Sequence, residues 1–229
     1  NGHCYRGRKF MRNEAVIFDM DGVLIDSEPL HFSAAITLLK RLHVETSEEY
    51  HNKYVGCSDP VKWQKIKNEF NIKNSLQEIL DMSVSTKLEL LRQTDCNPIE
   101  GIPELLKSLY VRNIPVAVAS SSPEKFIKEV INKISIEKYI KTWVSGENVE
   151  KSKPDPDIFL KTAELLQVNP RGCVVIEDSK NGVIAAKRAG MKCIGYQNAN
   201  SGNQDLSKAD IIIDNIKNIN IYNLLSMEY

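Results

Sequence analysis

Two aspartates follow directly on a short apolar run near the start of the sequence. The run is Ala15–Phe18, and Asp19-Met20-Asp21-Gly22-Val23 comes next. An apolar run that ends in a turn is typical of a buried strand, and open α/β sheets bind ligands beyond the carboxyl ends of their strands. Neighbouring carboxylates repel each other, so the pair favours a metal cation or a division of acid and base roles. The segment therefore predicts a catalytic site at the end of the first strand.

The hydrophobic pattern along the rest of the chain predicts the fold class. Residues from about 26 to 98 have apolar positions at helical spacing, and after them helical patterns alternate with short apolar runs. Such alternation is typical of a parallel sheet flanked by helices. We predict an α/β fold with a Rossmann-like parallel sheet and an inserted helical bundle. The later strands are predicted at 114–119, 143–144, 173–176, 193–196 and 211–213.

The helical insert interrupts the sheet immediately after its first strand. We predict an α/β core at 11–25 and 99–229 and a helical cap at 26–98, with hinges near Asp26 and Pro98. The cap would lie above the two aspartates as a lid, and a plain helical extension of the sheet edge is the alternative. Residues 1–10 are polar and end just before Met11, so we interpret them as a tag or leader.

Composition limits the partners and the compartment. The 229 residues contain 30 Lys and Arg and 30 Asp and Glu, so no overall field favours nucleic acid or an anionic membrane. No apolar stretch approaches the roughly 20 residues that a membrane-spanning helix needs. The five cysteines are scattered, as expected for reduced thiols. We expect a cytoplasmic monomer without disulfides.

Further polar groups follow the later predicted strands. The run that begins at Val116 ends in three serines, of which Ser120 is interpreted as a ligand and Ser122, before a proline, as a helix cap. Lys153 lies in a proline-rich turn and could neutralise a phosphoryl oxygen, although most loop lysines are solvated. Glu177 and Asp178 follow strand 173–176, where helix capping is the alternative.

The charges of these strand-end groups imply a cation if they converge. Four carboxylates, Asp19, Asp21, Glu177 and Asp178, would face one ammonium, which leaves 4 − 1 = 3 net negative charges. A phosphate could not enter such a site unaided. Oxygen ligands without His or Cys select a hard ion such as Mg²⁺.

Taken together, these segments resemble the motifs of the haloacid dehalogenase superfamily, in the branch of β-phosphoglucomutase and sugar-phosphate phosphatases. The motifs are Asp19-x-Asp21-Gly22-Val23, the strand-end Ser120, Lys153 in Ser-Lys-Pro, and Glu177-Asp178-Ser179-x-x-Gly182. They occur in the family's order over about residues 15 to 190. The helical insert matches the family's cap.

The resemblance implies a role for each matched residue. Asp19 would be the nucleophile that becomes an aspartyl-phosphate, and Asp21 the general acid and base. Ser120, Ser121 and Lys153 would hold phosphoryl oxygens, and Glu28 would contact substrate from the start of the cap. His31 would contact the substrate or influence Asp21, and a plain histidine on a helix face is the alternative. Mg²⁺ would be bound by Asp19, the Asp21 backbone carbonyl, Asp178 and Glu177. The substrate would be a small phosphorylated metabolite, most simply a sugar phosphate.

Residues of the cap help to decide whether this resemblance implies a phosphatase or a mutase. Mutases carry an Arg after a cap glycine and a cap Lys that together hold a second phosphate, but this chain has Asp59 and Met82 at those places. Lys53, Lys62 or Lys65 could substitute, and Trp63 could stack on a sugar or belong to the cap core. We therefore predict a Mg²⁺-dependent phosphatase. The alternatives are a β-phosphoglucomutase-type mutase and a non-enzymatic phospho-aspartate signalling domain.

Overall fold

The computed structural model describes residues 14–55 and 57–226. The leader interpreted at residues 1–10 lies outside the described residues. The strands are β1 (Ala15–Phe18), β2 (Val116–Ser120), β3 (Thr142–Ser145), β4 (Cys173–Glu177), β5 (Lys192–Tyr196) and β6 (Ile211–Ile213). The helices are α1 (Glu28–Arg41), α2 (Glu48–Asn52), α3 (Asp59–Glu69), α4 (Leu76–Gln93), α5 (Ile102–Val111), α6 (Glu124–Lys133), α7 (Asp157–Leu166), α8 (Lys180–Arg188) and α9 (Ile221–Leu225).

The strands form one parallel sheet in the order β3-β2-β1-β4-β5-β6. The predicted fold class is confirmed. The order reverses between β1 and β4, and the crevice at such a point is where doubly wound sheets bind ligands. The prediction placed the second strand two residues early, because residue 114 closes the turn after α5 through Ile114 N–H to Leu109 O and Pro115 has no N–H to give to a ladder.

Both faces of the sheet are covered by helices. The residues of β1, β2 and β4 are buried throughout, which explains their continuous apolar runs. One face packs against α5, α6 and α9, and the other packs against α7 and α8. The carboxyl ends of the central strands are thereby held in a rigid frame.

Helices α1 to α4 occupy the predicted insert and share an apolar cluster of their own. Trp63 lies in that cluster with 1% of its surface exposed, so stacking on a sugar is excluded and the core interpretation is correct. The two connections to the sheet run side by side, because Ile25 forms a bridge with Pro98 and Ile99 N–H donates to Leu24 O. The exact boundaries between the α/β core and the helical cap, placed at residues 26 and 98, stay a prediction.

The described cysteines Cys57, Cys96, Cys173 and Cys193 are free thiols. Within 14–55 and 57–226, no helix is both long and apolar enough to cross a membrane.

Candidate active site

The two central strands bring the predicted acidic segments together. Asp19 is the first residue after β1, and its N–H donates to Ile176 O on β4, 3.0 Å away. Glu177 ends β4 and Asp178 follows it. All three carboxyl side chains are buried, with 6%, 1% and 6% of the surface of Asp19, Glu177 and Asp178 exposed. The structure therefore assembles the strand-end site that the sequence predicts.

Lys153 joins two of these carboxylates. Its Nζ lies 2.6 Å from Oδ1 of Asp19 and 2.7 Å from Oε1 of Glu177, and it also donates to the carbonyl of Ala119. Burial works against the ammonium, but the charges of Asp19 and Glu177 raise the pKa of Lys153 above its usual value. The lysine is therefore not the solvated loop group of the alternative reading. It is a buried cation that orients the nucleophile candidate.

Asp19 has one oxygen engaged and one available. Its Oδ1 accepts from Lys153, whereas no described residue donates a hydrogen bond to Oδ2. Burial, opposed by Lys153 and reinforced by the neighbouring carboxylates, holds the pKa of Asp19 well above its ordinary range. A cation placed here would reverse that shift and leave a charged oxygen free to attack.

Glu177 is fixed by contacts on both oxygens. Oε1 accepts from Lys153, and Oε2 accepts from the N–H and hydroxyl of Ser179, each at 2.9 Å. A Cβ added to Gly182 would lie 1.7 Å from Oε1, so only glycine leaves room for this carboxylate. Ser179 also caps α8 by accepting from Gly182 N–H. Neither acid of the pair caps the helix, which excludes the capping alternative.

Asp178 packs against the turn that follows Asp19. A Cβ on Gly22, whose φ is +81°, would lie 2.0 Å from Asp178 Oδ2, and the Ser201 hydroxyl donates to that same oxygen. Burial and the charge of Glu177 raise the pKa of Asp178 to about 8. Burial and the neighbouring charge of Glu177 thus outweigh the hydrogen bond from Ser201 and the charge of Lys153, and the protonated form of this carboxyl is favoured.

Asp21 has a different environment. Oδ1 accepts from the Ser27 hydroxyl at 2.7 Å and lies 3.0 Å from Nε2 of His31, while Oδ2 accepts from Ser120 at 3.2 Å and Ser122 at 2.8 Å. Burial alone would raise its pKa, but these hydrogen bonds and the charge of His31 lower the pKa of Asp21 well below its usual range. The pKa values of the two aspartates are therefore shifted in opposite directions, and each shift is the reverse of what an ionised nucleophile and a protonated general acid need, so both must change when a cation and a substrate bind.

The cap role predicted for Ser122 is wrong. The first turn of α6 has Pro123 at its cap position without a side-chain cap, because the Ser122 hydroxyl turns to Asp21 instead. Ser120 supports the same arrangement by accepting from Ser122 N–H at 3.0 Å.

Two predicted substrate contacts lie at the edge of the cluster. Ser121 is exposed and makes no hydrogen bond with a described residue, and Glu28 is half-buried at the first position of α1. Burial raises the pKa of Glu28, and the charges of His31 and Asp21 act on it. Glu28 therefore lies beside the Asp21 site, and the substrate roles of both residues stay predictions.

Two carboxylate side chains of the site, those of Asp19 and Asp178, suit the binding of a hard cation. Asp19 and Asp178 are crowded carboxylates with raised pKa values, and carboxylate oxygen is the donor that Mg²⁺ prefers. Among the described residues, no three His, Cys, Asp or Glu side chains form a complete metal cage. Glu177 already has a hydrogen-bond partner on each oxygen, whereas Asp19 has one oxygen without a donor, and the set of Asp19, the Asp21 backbone carbonyl, Glu177 and Asp178 as metal ligands stays a prediction.

Sequence reasoning missed three hydroxyls of this site, those of Ser27, Ser122 and Ser201. Ser27 belongs to the segment that carries Glu28 and His31. It follows Asp21 by 6 positions in the sequence, and this short separation was the signal that could have identified it. Ser201 lies in the connection between β5 and β6, where no periodicity marks it.

Comparison with known proteins finds a matching family, related sequences and a shared fold. A profile of the haloacid dehalogenase-like hydrolases matches residues 16–196. The chain is 36% identical over 185 residues to a phosphorylated carbohydrates phosphatase of Thermotoga maritima, covering 79% of this chain and 83% of that protein. It is 29% identical to the β-phosphoglucomutase of Bacillus subtilis, covering 87% and 88%. The crystal structure of CbbY from Rhodobacter sphaeroides shares the fold, with a TM-score of 0.82 at 23% identity over 90% of this chain and 95% of that one.

Proposed function

Because the chain belongs to the haloacid dehalogenase-like hydrolase family, we propose that it is a Mg²⁺-dependent phosphatase that hydrolyses a small phosphomonoester, most simply a sugar phosphate. The observation that carries the proposal is the buried Lys153 between Asp19 and Glu177, since it holds one oxygen of Asp19 and leaves the other free. The named phosphatase among the relatives supports the same reaction.

Two displacements at phosphorus make up the proposed reaction. In the first, the free oxygen of Asp19 forms a bond to phosphorus, the ester bond to the leaving oxygen breaks, and Asp21 gives that oxygen a proton. In the second, Asp21 takes a proton from water, the water oxygen attacks the aspartyl-phosphate, and the Asp19 carboxylate leaves. The products are an alcohol and inorganic phosphate.

Charge compensation decides whether the first step can occur. If Asp19, Glu177 and Asp178 were all ionised, Lys153 would supply one positive charge against three negative ones, and 3 − 1 = 2 negative charges would remain to repel a phosphate. Burial and this repulsion are what raise the pKa values of Asp19 and Asp178 in the absence of a cation. A Mg²⁺ held by Asp19 and Asp178 would offset these charges and neutralise the transferring oxygens. Lys153 and the Ser120 hydroxyl would contact the phosphoryl group from the protein side.

Asp21 must change partners during the cycle. In the described arrangement its hydrogen bonds favour the charged form, which has no proton to donate. Two of its donors, Ser27 and His31, belong to the start of α1, so a movement of α1 would release Asp21 toward the leaving oxygen. The acid step is thereby coupled to the position of the helical insert, which would also control the access of water.

A phosphatase is favoured over a mutase by the charge at Asp59. Its Oδ2 lies 2.6 Å from Nζ of the buried Lys87, so a cation of the insert is already neutralised. Of the three lysines considered as replacements, Lys53 and Lys65 are exposed and only Lys62 is buried. A doubly phosphorylated intermediate would therefore find Lys87 already paired with Asp59, and Lys62 would be the one buried lysine among these three replacements.

³¹P NMR of the protein with Mg²⁺ and a panel of sugar phosphates tests the proposal. Inorganic phosphate should appear with the wild-type protein and not with Asp19→Asn. Interconversion of β-glucose 1-phosphate and glucose 6-phosphate in the presence of a bisphosphate primer, without free phosphate, would instead identify a mutase.

A further inference from the structure

The connection between β5 and β6 contacts both acidic segments of the proposed active site. Because Gly195 of β5 is paired with Glu177 of β4, the chain leaves β5 next to Asp178. Residues 198–204, the β5–β6 segment, then place two side chains against the site, those of Asn198 and Ser201. The proposed reaction assigns no role to either of them.

Ser201 holds one oxygen of Asp178. Its hydroxyl donates to Oδ2 of Asp178, and only 7% of the surface of Ser201 is exposed. A Cβ added to Gly22 would lie 2.8 Å from the same hydroxyl, so Ser201 also packs against the turn that follows Asp19. A donor on one oxygen restricts the rotation of a carboxylate, and the Ser201 hydroxyl therefore orients the carboxylate of Asp178.

Gln204 fixes Ser201 relative to the helix that follows Asp178. Its Nε2 donates to the carbonyl of Ser201 at 3.0 Å, and its Oε1 accepts from the N–H of Lys180 at 3.1 Å. Lys180 is the first residue of α8, two positions after Asp178. The hydroxyl of Ser201 and the carboxylate that accepts from it thus belong to one hydrogen-bonded frame.

Asn198 connects the same segment to the end of β1. Its Nδ2 donates to the carbonyl of Gly22 at 2.9 Å, in the turn whose Asp21 carbonyl is a predicted Mg²⁺ ligand. Its Oδ1 accepts from Asn200 N–H at 2.9 Å, a contact typical of tight turns, and its carbonyl accepts from Ser201 N–H at 3.2 Å. One asparagine therefore holds the Gly22 turn and shapes the backbone that presents Ser201.

We propose that Ser201 and Asn198 are positioning residues for Mg²⁺, which act through Asp178 and the Gly22 turn without contacting the ion. The inference rests on the proposed Mg²⁺-dependent phosphatase. Groups that hydrogen-bond to metal ligands orient them, and their removal typically weakens metal binding or activity about 10- to 100-fold. The predicted ligands Asp178 and the Asp21 carbonyl come from different strands, and the β5–β6 segment bonds to the surroundings of both.

A purely structural role of the segment predicts a different result. If the two side chains only stabilised the fold, their loss would lower the Tm with and without metal and would leave the affinity for Mg²⁺ unchanged. If they position the ligands, the affinity itself falls. The gain in Tm that Mg²⁺ produces would then shrink, because that gain depends on the ratio of ion concentration to Kd.

Calorimetric titration with MgCl₂ tests the inference on the wild-type protein, Ser201→Ala and Asn198→Ala. Asn203→Ala is the matched control, because Asn203 is an exposed residue of the same segment that makes no hydrogen bond with a described residue. Each site variant should raise the Kd for Mg²⁺ about tenfold or more, and the control should keep the wild-type value.

Thermal unfolding and phosphate release give two further readouts. The Tm difference between Mg²⁺ and chelator should be smaller for Ser201→Ala than for the wild-type protein, whatever the Tm of the metal-free variant. Half-maximal turnover of Ser201→Ala should require about tenfold more Mg²⁺, and excess Mg²⁺ should restore most of the wild-type rate.

Three results would overturn the inference. Wild-type affinity for Mg²⁺ in both site variants would show that neither contact acts on the ion. Equal weakening by Asn203→Ala would assign the effect to the segment as a whole. A turnover of Ser201→Ala that stays low in excess Mg²⁺ would show that the hydroxyl does not act through the ion.

Failure of the proposed phosphatase is a separate outcome. A wild-type protein that binds Mg²⁺ and hydrolyses no phosphomonoester would contradict the phosphatase, and the Kd values of the variants would still decide the inference. Mg²⁺-dependent hydrolysis together with unchanged Kd values would support the phosphatase and overturn the inference. A wild-type protein that binds no Mg²⁺ would contradict both.

Discussion

Nζ of Lys153 lies 2.6 Å from Oδ1 of Asp19, although 134 residues separate them in the sequence. The turn that carries the lysine and the end of β1 meet only because the sheet places β1 beside β2 and β4. The contact makes the nucleophile candidate depend on a buried cation, and it predicts what removal of that cation would do.

We expect Lys153→Met to lower both activity and stability. The change leaves Asp19 and Glu177 as buried carboxylates without their shared donor, and breaking a buried pair in this way costs about 3–5 kcal/mol. Chemical denaturation in the absence of metal should show that loss, and kcat/KM should fall at least about a hundredfold, a size typical of losing one transition-state donor. Adding Asp19→Asn to the variant should recover part of the stability, whereas additive effects of the two changes would contradict the pairing.

Gly22→Ala should disrupt the site more than the fold. Both Gly22 and Gly190 have a positive φ, of +81° and +74°, so alanine at either position costs about 1–2 kcal/mol of backbone strain. Only at Gly22 would the new Cβ also meet Asp178. Gly190→Ala is therefore the matched control.

Thermal unfolding and phosphate release measured on both glycine variants check this difference. Gly22→Ala should lose Mg²⁺-dependent activity, and Gly190→Ala should keep it with a lowered Tm. Equal activity of the two variants would contradict the close approach of the Gly22 turn to Asp178.

The fold and the positions of Asp19 and Asp21 at the end of β1 were predictable from sequence, because both depend on short-range patterns. Continuous apolar runs identified the buried strands, and a run that ends in acids places those acids at the sheet edge. The partners of Asp21 were not predictable in this way. Ser122 stands before a proline, as helix caps do, and only the folded chain shows that its hydroxyl turns to Asp21. Ser201 reaches Asp178 from a loop with no pattern of its own.

Asp178→Asn should stabilise the metal-free protein in a pH-dependent manner. The pKa of Asp178 is raised from 3.8 to about 8, so the folded state holds a proton that the unfolded state releases between these values. The stability that this carboxyl contributes is present below about pH 4 and is lost as the pH rises through about 8. The asparagine variant keeps its stability over that window.

Thermal unfolding in a chelator from pH 4 to 8.5 measures this effect. The Tm of Asp178→Asn should exceed that of the wild-type protein by roughly 2–8 °C at the alkaline end, corresponding to about 1–2 kcal/mol. Mg²⁺ should raise the Tm of the wild-type protein and not that of the variant. Asp205→Asn removes an exposed carboxyl whose pKa is lowered, and it should show no such gain. If the Tm difference between Asp178→Asn and the wild-type protein stayed constant across the pH range, the raised pKa assigned to Asp178 would be refuted.

Ser122→Ala should alter the ionisation of Asp21 without unfolding the protein. Loss of one donor to Oδ2 removes a contact worth about 1.5–3 kcal/mol to a charged group, so the pKa of Asp21 should rise. Because Asp21 must be protonated to act as the acid of the first step, the alkaline limb of the profile of kcat/KM against pH should move to higher pH, while Ser108→Ala on the exposed side of α5 should leave it in place. An unmoved alkaline limb would show that Ser122 does not act on Asp21.

Trapping of the phosphorylated enzyme tests the central claim most directly. The protein is mixed with a ³²P-labelled phosphomonoester that the panel identifies as a substrate, quenched in acid within milliseconds, and digested. We expect a transient, hydroxylamine-sensitive label on the peptide that contains Asp19, and no label on Asp19→Asn. Phosphate release by Asp19→Asn at the wild-type rate would contradict the account, as would a label on Asp19 that persists without turnover, the behaviour of a signalling domain.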